Sequence, residues 1–142
     1  MKLNLSQIKS VTTGAVRIEQ TPNGVEFYRF TKEQDEFYQN RHHDLHQRSL
    51  PPSSVKMHFK TDSKTLSLSG TVSDAMSCSF YAFDVFVDGK YYDSIDNYSD
   101  CDMSGVYVNG TYPLGEFSKT FYFADGIKEV CIYLPYSVCP TI

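Results

Sequence analysis

Short runs in which every second residue is apolar, separated by turn signals about every ten residues, leave this chain few folds to choose from. Val55, Met57 and Phe59 alternate with Lys56, His58 and Lys60. A Thr61-Asp62-Ser63-Lys64 turn follows, after which Leu66, Leu68 and Val72 alternate with Thr65, Ser67, Ser69 and Thr71. A period of two belongs to strands, whose side chains point to opposite faces in turn, and it predicts a hairpin here with one wet face. Residues 80–87 set Tyr81, Phe83, Val85 and Val87 on one face and Phe80, Ala82 and Phe86 with Asp84 on the other, the pattern of a strand covered on both sides. Asp88-Gly89 supplies a tight turn into residues 90–95, and Asp125-Gly126 does the same between 117–123 and 128–134. Asn23-Gly24 and Asn109-Gly110 mark two more turns.

One stretch reads as a helix. Thr31-Lys32-Glu33-Gln34 has the form of a capping box, and Glu33, Asp35 and Glu36 crowd a first turn, where negative charge suits the helix dipole. The expected span is residues 32–39. The rest reads as seven to nine short strands, except that residues 41–54, with three His and Pro51-Pro52, look like an irregular surface loop. At 142 residues the chain is most simply one domain, residues 1–142. The 11 Tyr and 10 Phe, with no Trp, favour β structure because aromatic rings pack well on pleated surfaces. The expected fold class is all-β, an antiparallel β-sandwich (jelly roll) with one short helix.

Several function classes recede. With a net charge of −4 and Lys and Arg scattered singly, no basic stripe offers itself to phosphates, so nucleic acid is not an expected partner. No segment approaches the length of a membrane span, and MKLNLSQIKSVTTGAV has neither the apolar run nor the cleavage site of a signal peptide. The expected location is cytoplasmic, with Cys78, Cys101, Cys131 and Cys139 as reduced thiols. They form no Cys-x-x-Cys pair, and Cys131, inside an apolar strand pattern, reads as a small buried hydrophobe. No motif calls for a cofactor.

Ser94 invites a test, because the stretch YYDSID lies one residue away from a Gly-Asp-Ser-Ile or Gly-Asp-Ser-Leu nucleophile block. A serine nucleophile needs a sharp turn, a histidine within reach and donors for the oxyanion. Ser94 instead follows Tyr92 inside a strand. All four histidines (His42, His43, His46 and His58) precede it, and no Asp-x-x-His pair comes after it. It reads as a strand residue. His42 and His46 stand four apart, which on a helix would aim two imidazoles at a metal, but Pro51-Pro52 argues against a helix and a third ligand is not evident. His58 reads as a solvent-facing strand residue. Asp93, Asp96, Asp100 and Asp102 with Asn97 offer oxygens that suit calcium, yet the spacing matches no calcium loop and no metal site is expected. Tyr91, Tyr92, Tyr98, Tyr107 and Tyr112 fall in or near one turn-rich segment, where exposed rings could stack against a sugar.

The segments GAVRIEQTPNGVEFYRFTKEQ, FKTDSKTLSLSG, FDVFVDGKYYDSIDN, PLGEF and KEVCIYLPYSVCP span nearly the whole chain. In order and spacing they resemble the N-terminal domain of bacterial SGNH (GDSL-type) hydrolases. The resemblance implies a jelly-roll sandwich similar to that of family 2 carbohydrate esterases, preceding an α/β/α catalytic domain that carries the Gly-Asp-Ser block and the Asp-x-x-His pair. It implies that this domain is non-catalytic, that the parent protein is an esterase for acylated carbohydrate or another small ester, and that the partner is the C-terminal catalytic domain of the same polypeptide. The apolar tail supplies candidate interface residues, Tyr133, Pro135, Tyr136 and Val138, unless the tail packs back on its own sandwich. A free-standing carbohydrate-binding module is the rival expectation.

Overall fold

A computed structural model describes residues 3–76, 78–99 and 112–142. Helix α1 (Leu5–Val11) leads into strands β1 (Thr12–Thr13), β2 (Arg17–Thr21) and β3 (Gly24–Tyr28). Helices α2 (Lys32–Arg41) and α3 (His43–Ser49) follow, then β4 (Lys56–Thr61), β5 (Thr65–Ser73), β6 (Ala82–Val87) and β7 (Lys90–Asp96). The chain closes with β8 (Gly115–Tyr122), β9 (Lys128–Tyr133) and β10 (Cys139–Thr141). Among the described residues these strands build two five-stranded sheets, the first ordered β1-β4-β9-β6-β7 and the second β2-β3-β10-β5-β8, antiparallel throughout. The pairs β6–β7, β5–β8, β4–β9 and β3–β10 nest one inside the next, so the chain is a long hairpin wrapped over two layers. That nesting is the jelly roll, and the all-β sandwich expected from the alternation is the observed fold. Among the described residues no helix is long and apolar enough to cross a membrane.

Two of the expected turns behave as predicted. Asp88 and Gly89 both adopt positive φ (50° and 75°), as a two-residue hairpin turn demands, and join β6 to β7. The turn marked by Asn23-Gly24 joins β2 to β3 through Pro22 and Asn23, with Gly24 opening β3 opposite Thr21. Two others are corrected. β4 and β5 do not form a hairpin: β4 pairs with β1 and β9, β5 with β8 and β10, and the turn at 61–64 carries the chain from one sheet to the other. The Asp125-Gly126 turn likewise joins β8 of the second sheet to β9 of the first. Alternation names the face that must be buried, and that face can be buried beside a neighbour or opposite one. Asn109-Gly110 lies outside the described residues.

The helices also need correction. α2 starts at the predicted capping box, with Thr31 Oγ1 accepting from the Gln34 N–H and Gln34 Oε1 from the Thr31 N–H, but it runs on to Arg41. Residues 43–49, expected to be loop, form α3, because prolines end a helix behind them and do not forbid one in front. α1 was not foreseen; Asn4 and Gln7 cap it reciprocally, a box written with Asn in place of Ser or Thr. Arg17 on β2 anchors α2 through Asp35 at 3.1 Å, and His46 on α3 meets the other oxygen of that carboxylate at 3.1 Å.

Between the sheets lies one core. Phe83, Val85, Val130 and Ile132 of the first sheet meet Phe27, Leu68, Phe117 and Phe121 of the second, with the Phe83 and Phe117 rings 4.6 Å apart. Each fully buried side chain of this kind contributes about 1.5–3 kcal/mol by its removal from water. The β7–β8 side is laced by Lys119, whose Nζ donates to Asp93 Oδ2 at 2.8 Å and to the Ser94 carbonyl at 2.7 Å. β10 closes the second sheet so tightly that a Cβ on Gly70 would stand 2.0 Å from the Thr141 carbonyl oxygen.

Candidate functional site

Pairing register dictates which side chains share the outward face of the first sheet. One row across it reads Thr13, Lys56, Tyr133, Asp84 and Ser94, and the next reads His58, Cys131, Phe86 and Tyr91. Phe86 is the hub of the second row, its ring 5.8 Å from Tyr91 and 5.6 Å from Tyr133, both edge-on. Lys56 Nζ lies 5.5 Å from the Tyr133 ring centre. Toward the start of β6 a second hub, Phe80, meets Tyr136 and Tyr112 at 6.0 Å and Tyr98 at 6.4 Å, again edge-on. Edge-to-face contact is the favoured geometry for such rings, because the positive edge of one meets the negative face of another.

Electrostatics joins the two hubs. The Tyr98 hydroxyl is pushed above its ordinary range, first by burial and then by the carboxylates of Asp96 and Asp84. Asp84, the register partner of Tyr133 in the Phe86 cluster, thus also acts on Tyr98 in the Phe80 cluster, and the two ring clusters with Asp84 form an aromatic band. Tyr136 is also pushed up, chiefly by burial and then by the neighbouring Cys78. Yet Tyr91 keeps 60%, Tyr136 58% and Tyr133 40% of their surface exposed, so the band presents rings to solvent along its length. The exposed rings lie beside the Lys56 ammonium, so the apolar area of this face is flanked by charge.

The predicted interface residues divide. Tyr133 and Tyr136 stand on the band, whereas Pro135 and Val138 are buried in this domain's own core, and the tail beyond them pairs with β3 and β5 as β10. The tail packs back on its own sandwich, which corrects the reading of Pro135 and Val138 as surface. The strand at residues 80–87 is likewise not covered on both sides: its inward Phe83 and Val85 are buried, while Ala82, Asp84 and Phe86, and Phe80 ahead of the strand, are half-buried. Cys131 is corrected too, since the inward Val130 and Ile132 turn it outward, half-buried, between His58 and Phe86.

Of the tyrosines proposed for sugar stacking, Tyr91, Tyr98 and Tyr112 belong to the band. Tyr92 does not. It sits at a β-bulge, its ring edge-on to Phe123 at 5.4 Å and its hydroxyl donating to the Tyr122 carbonyl, so it bridges the two sheets. Tyr107 lies outside the described residues, as do Asp100, Asp102 and Cys101. Asp96 accepts from the Tyr98 and Ser99 N–H groups and from the Ser94 and Ser99 hydroxyls, and Asn97 donates to the Ser79 and Pro113 carbonyls. These groups hold a turn. Ser94 thus gives its hydroxyl to Asp96 at 3.0 Å. His46 is turned onto Asp35 and His42 sits at a non-helical cap, so the helix forms without aiming the pair at a common ligand. His58, exposed as predicted, meets Glu129 at 2.6 Å. Among the described residues no group of three or more His, Cys, Asp or Glu is placed to hold a metal ion.

Sequence reasoning did not single out Phe80, Phe86, Asp84 and Lys56 as site residues. The signal lay in the second apolar face of the strand at residues 80–87, but its neighbours across the sheet were not legible before the pairing was known.

No protein-family model matches this chain, and no curated protein matches it. A solved structure does, the "Salicylyl-Acyltransferase SsfX3 from a Tetracycline Biosynthetic Pathway", with a TM-score of 0.63 over 92% of this chain at 19% identity. At that identity the likeness is one of fold. The match takes in 35% of the acyltransferase, so this chain spans about a third of that protein's length.

Proposed function

We propose that this chain is the non-catalytic N-terminal accessory domain of an SGNH (GDSL-type) enzyme of acyl esters, and that it packs through the aromatic band against the catalytic domain of the same polypeptide. The observation that carries the reading is the band itself: Tyr91, Tyr133 and Tyr136 exposed around the Phe86 and Phe80 hubs on one outward face. An aromatic patch rimmed by charge is the kind of surface that meets another protein surface. Two further observations support it. The order of the quoted segments resembles the accessory domain of that family, and a sandwich of this shape makes up about a third of a known acyltransferase. The band would then shape or cover the neighbouring active site.

The test is the mass of the native polypeptide in its source cells, read with an antibody against this domain. A band far above 16.2 kDa that also hydrolyses a simple aryl ester is the expected result. A band at 16.2 kDa would overturn the reading. It would favour a carbohydrate-binding module, for which the exposed Tyr91 ring beside Phe86 is the supporting observation; oligosaccharides should then quench tyrosine fluorescence, and Tyr91→Ala should abolish the quenching.

A further inference from the structure

On the opposite side of the molecule, a cleft of about 250 Å³ opens between the outward face of the second sheet and the end of α3. Its volume holds roughly eight waters at about 30 Å³ each, enough for one small organic molecule. The floor is polar: Glu26 and Tyr28 project from β3, Cys139 and Thr141 from β10, and Ser73 from the end of β5. The wall opposite is apolar, formed by Leu50 and Pro52, with the Gln47 amide beside them. Asp74 stands at the rim. Its Oδ1 accepts from the Ala75 and Met76 N–H groups, which orders the carboxylate.

The charge in this cleft is one-sided. None of its lining residues is basic, while two are carboxylates. Three guanidinium groups flank the cleft, each with partners outside its lining: Arg17, 4.2 Å from the Tyr28 ring centre, donates to the Phe30 carbonyl, Glu19 and Asp35, Arg29 to the Pro51 and Ser49 carbonyls, and Arg48 to the Met76 carbonyl. Two neutral acids inside the cleft register the resulting field. The Cys139 thiol is pushed up to about 11, first by burial and then by Glu26 and Asp74. Tyr28 is raised above its ordinary range by burial and by Glu26, to which its hydroxyl donates. The charges that act on Cys139 are both carboxylates, and on Tyr28 the Glu26 and Glu19 carboxylates outweigh the Arg17 guanidinium, which pulls the other way.

From this geometry we infer that the cleft is a binding site for a small organic cation, an alkyl- or arylalkyl-ammonium whose nitrogen lies between Glu26 and Asp74 and whose hydrocarbon part rests on Leu50 and Pro52. An ammonium has three donors and no acceptor, which suits two carboxylates with the Thr141 and Ser73 hydroxyls close by. A neutral polyol would leave the carboxylates uncompensated, and an anion would be repelled. The inference is independent of the accessory-domain reading, because it uses the other sheet and none of the band residues.

The test is amide chemical-shift titration of the 142-residue chain with three probes of one shape: phenethylammonium, 2-phenylethanol and 3-phenylpropionate. The ammonium is expected to shift the amides of Glu26, Ser73 and Thr141 saturably, and the alcohol and carboxylate are not. Glu26→Gln, which keeps an acceptor for Tyr28, and Asp74→Asn, at an exposed rim position, should each weaken binding by about two- to fivefold, the scale of a partly exposed ion pair. Equal shifts from the alcohol, no saturable shift from the ammonium, or unchanged affinity in both folded variants would overturn the assignment.

Discussion

The two sheets share one core but differ on their outer faces. Outside the second sheet, β5 shows Thr65, Ser67, Ser69, Thr71 and Ser73, and β8 shows Glu116, Ser118 and Thr120 with a single exposed ring, Tyr122, at its end; the Ser67 and Thr120 hydroxyls even bond each other at 2.7 Å. Outside the first sheet, the corresponding rows carry Tyr133, Phe86 and Tyr91. The inner faces have no such freedom, because each must exclude water from the same core, and both are filled with Phe, Leu, Ile and Val. An outer face answers only to what lies beyond it. Hydroxyl rows are at ease in water, whereas exposed rings leave apolar area that burial against a partner would stabilise. The contrast locates the proposed interface more sharply than any single residue could.

That contrast can be broken or sharpened by mutation, and the largest effects belong to what the sheets share. Phe121→Ala, in a fully buried position of the second sheet, should cost about 3–5 kcal/mol in urea unfolding, and Ile132→Ala in the first about 2–5 kcal/mol. A loss confined to one of the two would mean that the sheets do not share a cooperative core. Gly70→Ala, which drives a Cβ into the Thr141 carbonyl, should cost about 1–3 kcal/mol and expose the amides of β10 to hydrogen exchange, while a Gly126→Ala control, with no atom within 4 Å but a φ of 100°, should cost less.

The outer faces should part company next. In a two-domain polypeptide of the proposed kind, replacing Tyr133 and Tyr136 by Ser should weaken domain docking by about 1–3 kcal/mol and lower ester turnover, whereas Ser69→Ala and Thr71→Ala on the other sheet should stay within about 0.5 kcal/mol. Matched small effects on both faces would remove the interface from the first sheet.

The smallest effect is at the laced edge. The Lys119 ammonium, donating to Asp93, holds that carboxyl below its ordinary value, with the Ser94 N–H helping against partial burial. A folded-state value below the unfolded one means that the contribution is fully present above the unfolded value of about 3.9 and is lost as pH falls through the lower folded value. Asp93→Asn should therefore flatten the acid limb of the stability profile, matching the parent at the acid end and losing at neutral pH the pair's small contribution, no more than about 1 kcal/mol for a pair this exposed. Asp96 keeps its own share of that limb through its turn hydrogen bonds. An acid limb as steep in the variant as in the parent would remove Asp93 from it.

Much of the fold was legible because β structure writes its buried face into every second residue. Val55, Met57, Leu68 and Val72 were assigned to the dry face and are buried. The capping box at Thr31 and the turn at Asp88-Gly89 were equally local, since each depends on groups a few residues apart. Of the site, only scattered tyrosines could be named. Tyr92 and Tyr91 are adjacent in the chain, yet a bulge turns one into a bridge between sheets and leaves the other on the open band.

The sequence alone determined that this chain is a set of amphipathic strands with tight turns, because periodicity and turn chemistry act over two to five residues. Only the tertiary structure decided that β4 and β5 part into different sheets, that Pro135 and Val138 close the core while Tyr133 and Tyr136 stay outside, and that Glu26, Asp74 and Cys139 come to share a cleft. An alternating strand specifies which side it must bury and is silent on its neighbour, so the choice among partners falls to the packing of the whole sandwich.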